Sequence, residues 1–218
     1  MVEAALRRRV FLTVLGAVAV CGSTLIAQES ARDVLEKVKK EYDSIVDAQL
    51  KFSQHTHFEM TNIDQSVSGT LLLKKTNKYR VETSDQTIVT DGQTVWSYSA
   101  ANKQVLIDHF KVDENSITPE KILGGAPTDF TSTFLGSEKI GRTETLELKL
   151  EPNNDQSMVK TMKLWVDNST WLIKKAEILD VNGKQTEYVV TDIKTNVGLE
   201  DSRFTFQVPE GVEIVDLR

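Results

Sequence analysis

The chain has 218 residues, 39% of them hydrophobic and 27% charged, with a formal net charge of −6. This length and apolar content allow one domain with a sizeable core. The acidic balance excludes the basic footprint that nucleic acid requires and disfavours contact with anionic membrane surfaces.

Arg7, Arg8 and Arg9 precede an apolar run from Val10 to Val20, and small residues follow before polar sequence begins at Gln28. That is the pattern of a secretory signal peptide over 1–27, too short to persist as a bilayer anchor. Cys21 leaves a second reading open, a lipoprotein signal in which it becomes the acylated N-terminus, although Val20 is bulky for the preceding position. As Cys21 is the one cysteine of the chain, residues 28–218 hold no disulfide and must be stable through their core. No linker or repeat divides them, so they are expected to form one domain.

Ser30, with Asp33 three residues on, marks the start of an amphipathic helix over 30–46. Ala31, Val34, Leu35, Val38, Tyr42, Ile45 and Val46 recur at helical spacing. Such a helix either packs plainly on a sheet or covers the mouth of a cavity.

From 48 onward the period changes to two. Phe52, Gln54, Thr56 and Phe58 share one face, and Ser53, His55, His57 and Glu59 the other. His55 and His57 have the spacing of a metal pair that Glu59 or His109 would complete. A solvent-facing pair without function fits better, because the opposite face already carries the aromatic residues.

Runs at 67–74, 78–83, 87–90, 94–99 and 104–108 follow, separated by turn residues such as Asn77, Ser84-Asp85 and Asp91-Gly92. No intervening stretch is long enough for a crossover helix, so neighbours pair antiparallel in a sheet spanning 48–108. Leu71, Leu73, Tyr79 and Val81 fall on inward positions, and Trp96 and Tyr98 form an aromatic pair. Whether that interior is filled or hollow is not readable from the pattern.

Between 113 and 137 the strand pattern stops. Pro119 suits a helix's first turn and Gly124-Gly125 its end. A second apolar piece carries Phe130, Phe134 and Leu135 before Gly136. The expectation is two lid helices within 118–135, bearing Ile122, Leu123, Phe130 and Phe134; a structural crossover is the alternative. Strands resume over 138–215, where Leu146, Leu148 and Leu150, then Met162, Leu164 and Val166, alternate with polar residues, and Asn182-Gly183 marks another hairpin. The expected fold is mainly β: a single curled antiparallel sheet of about ten or eleven strands, an incomplete barrel, with three short helices over a hydrophobic cavity.

No phosphate loop, nucleophile elbow or zinc-protease motif is present, and three histidines offer no supported triad. A binding protein with an apolar interior, without a cofactor and monomeric, is the better reading than an enzyme.

Three runs then carry a resemblance: Gly69-Thr70-Leu71-Leu72-Leu73-Lys74-Lys75-Thr76-Asn77-Lys78-Tyr79-Arg80, Val89-Thr90-Asp91-Gly92-Gln93-Thr94-Val95-Trp96-Ser97-Tyr98, and Phe204-Thr205-Phe206-Gln207-Val208-Pro209-Glu210-Gly211-Val212. With the first helix and the Phe52-Ser53-Gln54 step, they resemble the outer-membrane lipoprotein carrier family, LolA, over nearly all of 28–218. The resemblance implies a periplasmic carrier that accepts acylated lipoproteins from an inner-membrane ABC transporter, shields their acyl chains, and passes them to an acceptor or to the outer membrane itself. It points to a lipid cavity lined by Leu71, Leu73, Tyr79, Val81, Trp96, Tyr98, Leu146, Leu148, Met162 and Leu164. Val34, Leu35, Val38, Ile122, Leu123, Phe130 and Phe134 would form the lid.

Where the family has an arginine followed by proline to hold the lid, this chain has Lys75-Thr76. Lysine lacks a planar fork of donors, so Lys75 is a weaker latch candidate. Tyr79 stands where the family has an aromatic residue that receives cargo. A lipid-binding periplasmic sensor, or a membrane-anchored lipoprotein acceptor, would share the same fold.

Overall fold

The computed structural model describes residues 30–111 and 130–218. The expected leader over 1–27 and the first expected lid helix, with Ile122 and Leu123, lie outside them. One α-helix is found among the described residues, α1 (Ala31–Ser44). Ser30 accepts from the Asp33 N–H while the Asp33 carboxylate accepts from the Ser30 N–H, closing the capping box that the sequence announces. These hydrogen bonds, the Ser30 hydroxyl first, hold the exposed Asp33 carboxyl below its usual pKa.

Twelve strands follow: β1 (Asp47–Phe58), β2 (Ile63–Lys74), β3 (Lys78–Thr83), β4 (Gln86–Asp91), β5 (Thr94–Ser99), β6 (Gln104–His109), β7 (Phe130–Ile140), β8 (Thr143–Pro152), β9 (Val159–Asp167), β10 (Ile173–Asp180), β11 (Lys184–Thr195) and β12 (Glu213–Asp216). They form one sheet in the order β12-β6-β5-β4-β3-β2-β1-β11-β10-β9-β8-β7. Two meanders therefore meet where β1 pairs with both β2 and β11.

Three expectations need correction. The strands number twelve in the described residues, against the ten or eleven expected. The segment carrying Phe130 and Phe134 is strand β7 and not a lid helix, so the three-helix lid does not stand. A β-bulge hides its alternation: the register shifts between Phe134 and Gly136, leaving Leu135 unpaired, and Gly136 takes φ 148°, a conformation that favours glycine. Finally, the sheet is not wholly antiparallel, because β12 lies parallel to β6, Ile214 beside Val105. A parallel partner needs a crossover, and residues 196–212 supply it.

Paired residues in neighbouring strands point to the same side of a sheet, so the registers sort the side chains into two faces. The inner face is the one α1 packs on. Beneath α1, Ala31, Val34 and Val38 meet Leu148, Leu150, Met162, Leu164, Val166, Ile173, Ala176 and Ile178 in one buried cluster. A smaller cluster on the same face is built from Leu50, Leu71 and Val190.

Candidate functional site

The inner face divides into a closed region and an open one. Over β7 to β10 it is closed: Val34 and Val38 are fully buried against Leu148 and Leu164, also fully buried, with Met162 beside them and Leu35 and Leu146 packed at the margin. The positions expected to line a hollow here are instead the floor of a solid core, because the helical stripe of α1 fills the space above them.

Over β1 to β5 the inner face is more open among the described residues. Leu73, Tyr79, Val81, Phe52 and Ile193 are only partly buried around Leu50, Leu71 and Val190. Through the register Val81 continues into Ile88, and Tyr79 into Thr90 and then Val95. Phe110 meets the Tyr79 ring edge-on with centroids 6.3 Å apart. Gly69 has a structural reason to be glycine, since a Cβ there would stand 3.0 Å from the Phe52 ring and against the Glu82 carbonyl. The absent side chain lets Phe52 lie flat across its cross-strand partner and smooths the patch.

Tyr42 joins the two regions, touching both clusters from the last turns of α1. Its hydroxyl is buried near the Ile173 backbone without a well-formed hydrogen bond, and burial pushes its pKa up. Among the described residues it is the buried side-chain polar atom that lacks a hydrogen-bond partner.

The C-terminal end of α1 is tied to the sheet by Lys75. Its ammonium donates to the Asp43 carbonyl at 2.7 Å, and its backbone N–H donates to the Val46 carbonyl at 3.0 Å. The last turn of α1 has no basic residue of its own, so Lys75 brings the positive charge that a helix C-terminus favours. Lys37 adds a second tie, its ammonium 4.2 Å from the centroid of the Trp171 ring.

Trp96 and Tyr98 are not part of this site. The register aligns Trp96 with Val89, Arg80 and Leu72, on the outer face and away from Leu71, Tyr79 and Val81. A pocket shared by Leu71, Tyr79 and Trp96 is thus geometrically impossible, since one strand position more or less turns a side chain through the sheet.

The outer-face aromatics serve a feature the sequence reading missed, a strap formed by residues 196–206. The buried Asp47 carboxylate accepts from the N–H groups of Val197, Gly198 and Leu199. Lys74 and Lys78 reach Asp201 at 2.7 and 2.9 Å, and these bonds, Lys74 first, hold the Asp201 carboxyl down at about 2. The strap delivers Phe204, fully buried, to an outer face where Leu72, Val89 and Val105 are also buried, and sets Phe206 5.5 Å from the Tyr98 ring. A clue lies in the Phe204–Phe206 spacing, which asks for an apolar surface to cover.

His55 and His57 lie on the outer face. Asp64 stands 3.2 Å from His55 Nε2 and 3.0 Å from His57 Nδ1, all three well exposed or half-exposed. His109 lies apart from them on β6, with β2 to β5 between that strand and β1.

The comparisons agree on one relationship. The model of the family described as outer membrane lipoprotein carrier protein LolA matches residues 44–207. The outer-membrane lipoprotein carrier protein of Hahella chejuensis is 26% identical over 94% of this chain and 97% of its own length. That of Pasteurella multocida is 31% identical, covering 72% of this chain and 74% of its own. Among solved structures, an uncharacterized conserved protein from Thermus thermophilus superposes with a TM-score of 0.58 at 14% identity, over 85% of this chain and 98% of that one. The last likeness concerns the fold alone.

Proposed function

Since this chain belongs to the outer membrane lipoprotein carrier family, we propose that it is a non-enzymatic periplasmic carrier which shields the acyl chains of lipoproteins between the inner and the outer membrane. The observation that carries this reading is the apolar region of the inner face where Leu73, Tyr79, Val81, Phe52 and Ile193 stay partly exposed, beside a sheet half whose larger cluster is buried under α1. An inner-membrane lipoprotein exporter would load it, and an outer-membrane acceptor or the outer membrane would unload it. No helix among the described residues is long and apolar enough to cross a membrane.

The energetics suit a carrier. A buried methylene contributes about 0.8 kcal/mol, so a sixteen-carbon chain represents on the order of 10 kcal/mol to be hidden from water. A soluble shuttle must recover most of this and still let go. Residues Val34, Leu35 and Val38 hold α1 over the closed region, while Tyr42 overhangs the edge of the open one. An acyl chain entering the open region competes with the Tyr42 end of α1 for the same surface. That competition lowers net affinity and permits onward transfer.

The test is recovery of the protein from periplasm with identification of bound lipidated species, followed by hydrogen exchange with and without an acylated peptide. Bound lipopeptide and lowered protection around Tyr42 on loading are expected. Protein free of acylated species, with equal protection in both states, would overturn the proposal.

A further inference from the structure

Four of the ten exposed large apolar side chains among the described residues gather at one rim of the sheet: Met60, Ile63, Met158 and Val181. Met60 and Ile63 belong to the β1–β2 hairpin tip, Val181 to the β10–β11 turn, and Met158 to the β8–β9 connection. These tips are neighbours. The Val181 N–H donates to the Met158 carbonyl at 3.1 Å, Phe58 pairs with Lys184, and a Cβ on Gly183 would stand 2.6 Å from the Glu59 carboxylate.

Nothing in the local fold asks these positions to be apolar. Asn62 and Gly183 provide the positive φ values that the turns need, 51° and 79°. Met60 is 88% exposed. Isolated exposed apolar residues are ordinary, but a gathered set on adjoining tips marks a contact surface. Hairpin tips also present their side chains outward from the end of a sheet, where they enter an interface without unfolding anything.

The charges around the tips select the occupant. The same tips carry exposed carboxylates: Glu59 beside Gly183, Asp64 next to Ile63 in the chain, and Asp155 in the β8–β9 connection, with Lys160 and Lys184 the exposed lysines of the adjoining strand ends. Asp64 already faces His55 and His57 at 3.2 and 3.0 Å. Lys184 already faces Asp180 at 3.8 Å. Carboxylates repel an anionic surface and accept hydrogen bonds from a primary ammonium. We propose that this rim docks on a bilayer rich in a zwitterionic aminophospholipid, Met60, Ile63, Met158 and Val181 entering the headgroup boundary while Glu59 and Asp155 accept from lipid ammonium groups. The inference rests on the carrier reading: Phe58 and Ile63 pair on the inner face, so docking sets the end of that face against the lipid that receives or supplies acyl chains.

The experiment is flotation of the protein purified from periplasm with vesicles of phosphatidylethanolamine and phosphatidylcholine, and with vesicles of phosphatidylglycerol. The double variant Met60→Asp, Val181→Asp runs beside it. Binding to the first vesicles, weaker binding to the second, and a loss of about tenfold or more in the variant are expected. Binding of a fluorescent acyl probe by the variant should match the wild type, which separates this proposal from the carrier reading. Failure of the wild type to bind the probe sinks the carrier reading. Normal probe binding without flotation, preference for the anionic vesicles, or equal flotation of the variant overturns the docking rim. A concentration-dependent mass in light scattering that the variant abolishes assigns the rim to a second copy and also overturns it.

Discussion

The two regions of the inner face share one sheet, one alternation pattern and much the same residue types, yet among the described residues a helix closes only one of them. Under α1, the inward side chains Leu148, Leu150, Met162, Leu164, Val166, Ile173, Ala176 and Ile178 join Ala31, Val34 and Val38 in one buried cluster. Across β1 to β5, among the described residues, the inward positions around Leu71 meet the Tyr42 end of the helix, the Phe110 ring and one another. The helix is 14 residues long, about 21 Å at 1.5 Å per residue, whereas twelve strands at about 4.8 Å spacing make a sheet more than twice as wide. One helix of that length cannot cover both halves. The proposed function draws on this shortfall: among the described residues, the covered half gives stability, and the other half keeps partly exposed apolar surface where a ligand would sit.

The two regions should differ most when a side chain is truncated in each. Leu164→Ala removes a fully buried side chain from the closed region and should cost about 2–5 kcal/mol in urea unfolding. Val81→Ala in the open region should cost about 1 kcal/mol or less, because its side chain is already partly in water. Equal losses would mean that the open region is as packed as the other.

A sharper version asks about binding. Tyr79→Asp places a charge in the open patch, where it should weaken an acyl probe by at least about tenfold, a loss of roughly 1.4 kcal/mol. Trp96→Ala, on the outer face, should leave probe binding within about twofold while loosening the Phe204 strap. The pair reads the face assignment directly. If Trp96 mattered for the probe and Tyr79 did not, the inner face would be the wrong site.

These contrasts also show which parts of the fold are legible in the chain. Strand after strand is readable because period-two alternation is local, and Ser30 with Asp33 fixes the start of α1 for the same reason. Which face of β5 looks inward is not local. It depends on the register through β3 and β4, and the Trp96–Tyr98 pair reads as inward on hydrophobicity although the strap gives it an equally apolar outer surface. The β7 strand reads as helical because the bulge at Gly136 breaks the alternation and because glycine there suggests a helix end. Asp47 gives no sequence signal, since its three N–H partners lie about 150 positions away. Whether an apolar face is filled is beyond any periodicity, as it depends on helix length against sheet width.

A smaller effect is expected at the tie between the regions. Lys75→Ala removes the ammonium from the Asp43 carbonyl and should cost about 0.5 kcal/mol of stability, in keeping with an exposed charge at a helix C-terminus. Its larger signature should be faster hydrogen exchange in the last turn of α1, with the first turn, held by the Ser30 box, unchanged. Lys75→Arg should restore protection. Uniform acceleration along α1 would show that the helix opens as one unit and that the Tyr42 end is not a separate flap.

The smallest effect concerns acid, and it contrasts the strap with both inner-face regions. Asp201 is the acceptor shared by Lys74 and Lys78, and its carboxyl is held at about 2, below the ordinary 3.8. A depressed carboxyl contributes stability that is fully present above its unfolded value and is lost as the pH falls through the folded one. The strap should therefore loosen between about pH 4 and pH 2, seen as faster exchange at Phe204 and Phe206. Because Asp201 is exposed, the step should shrink as salt is raised. Asp201→Asn should remove it at every pH, leaving the Asp47 anchor and the Phe204 contact to hold the strap. Among the described residues the buried carboxylates, Asp47 and Asp167, both lie on the outer face, and Asp33, also held low, caps the first turn of α1 at the end away from Tyr42, so probe binding should stay level across the same window. A parallel fall in probe binding would tie strap and patch together, and would show that the two faces of the sheet do not act independently.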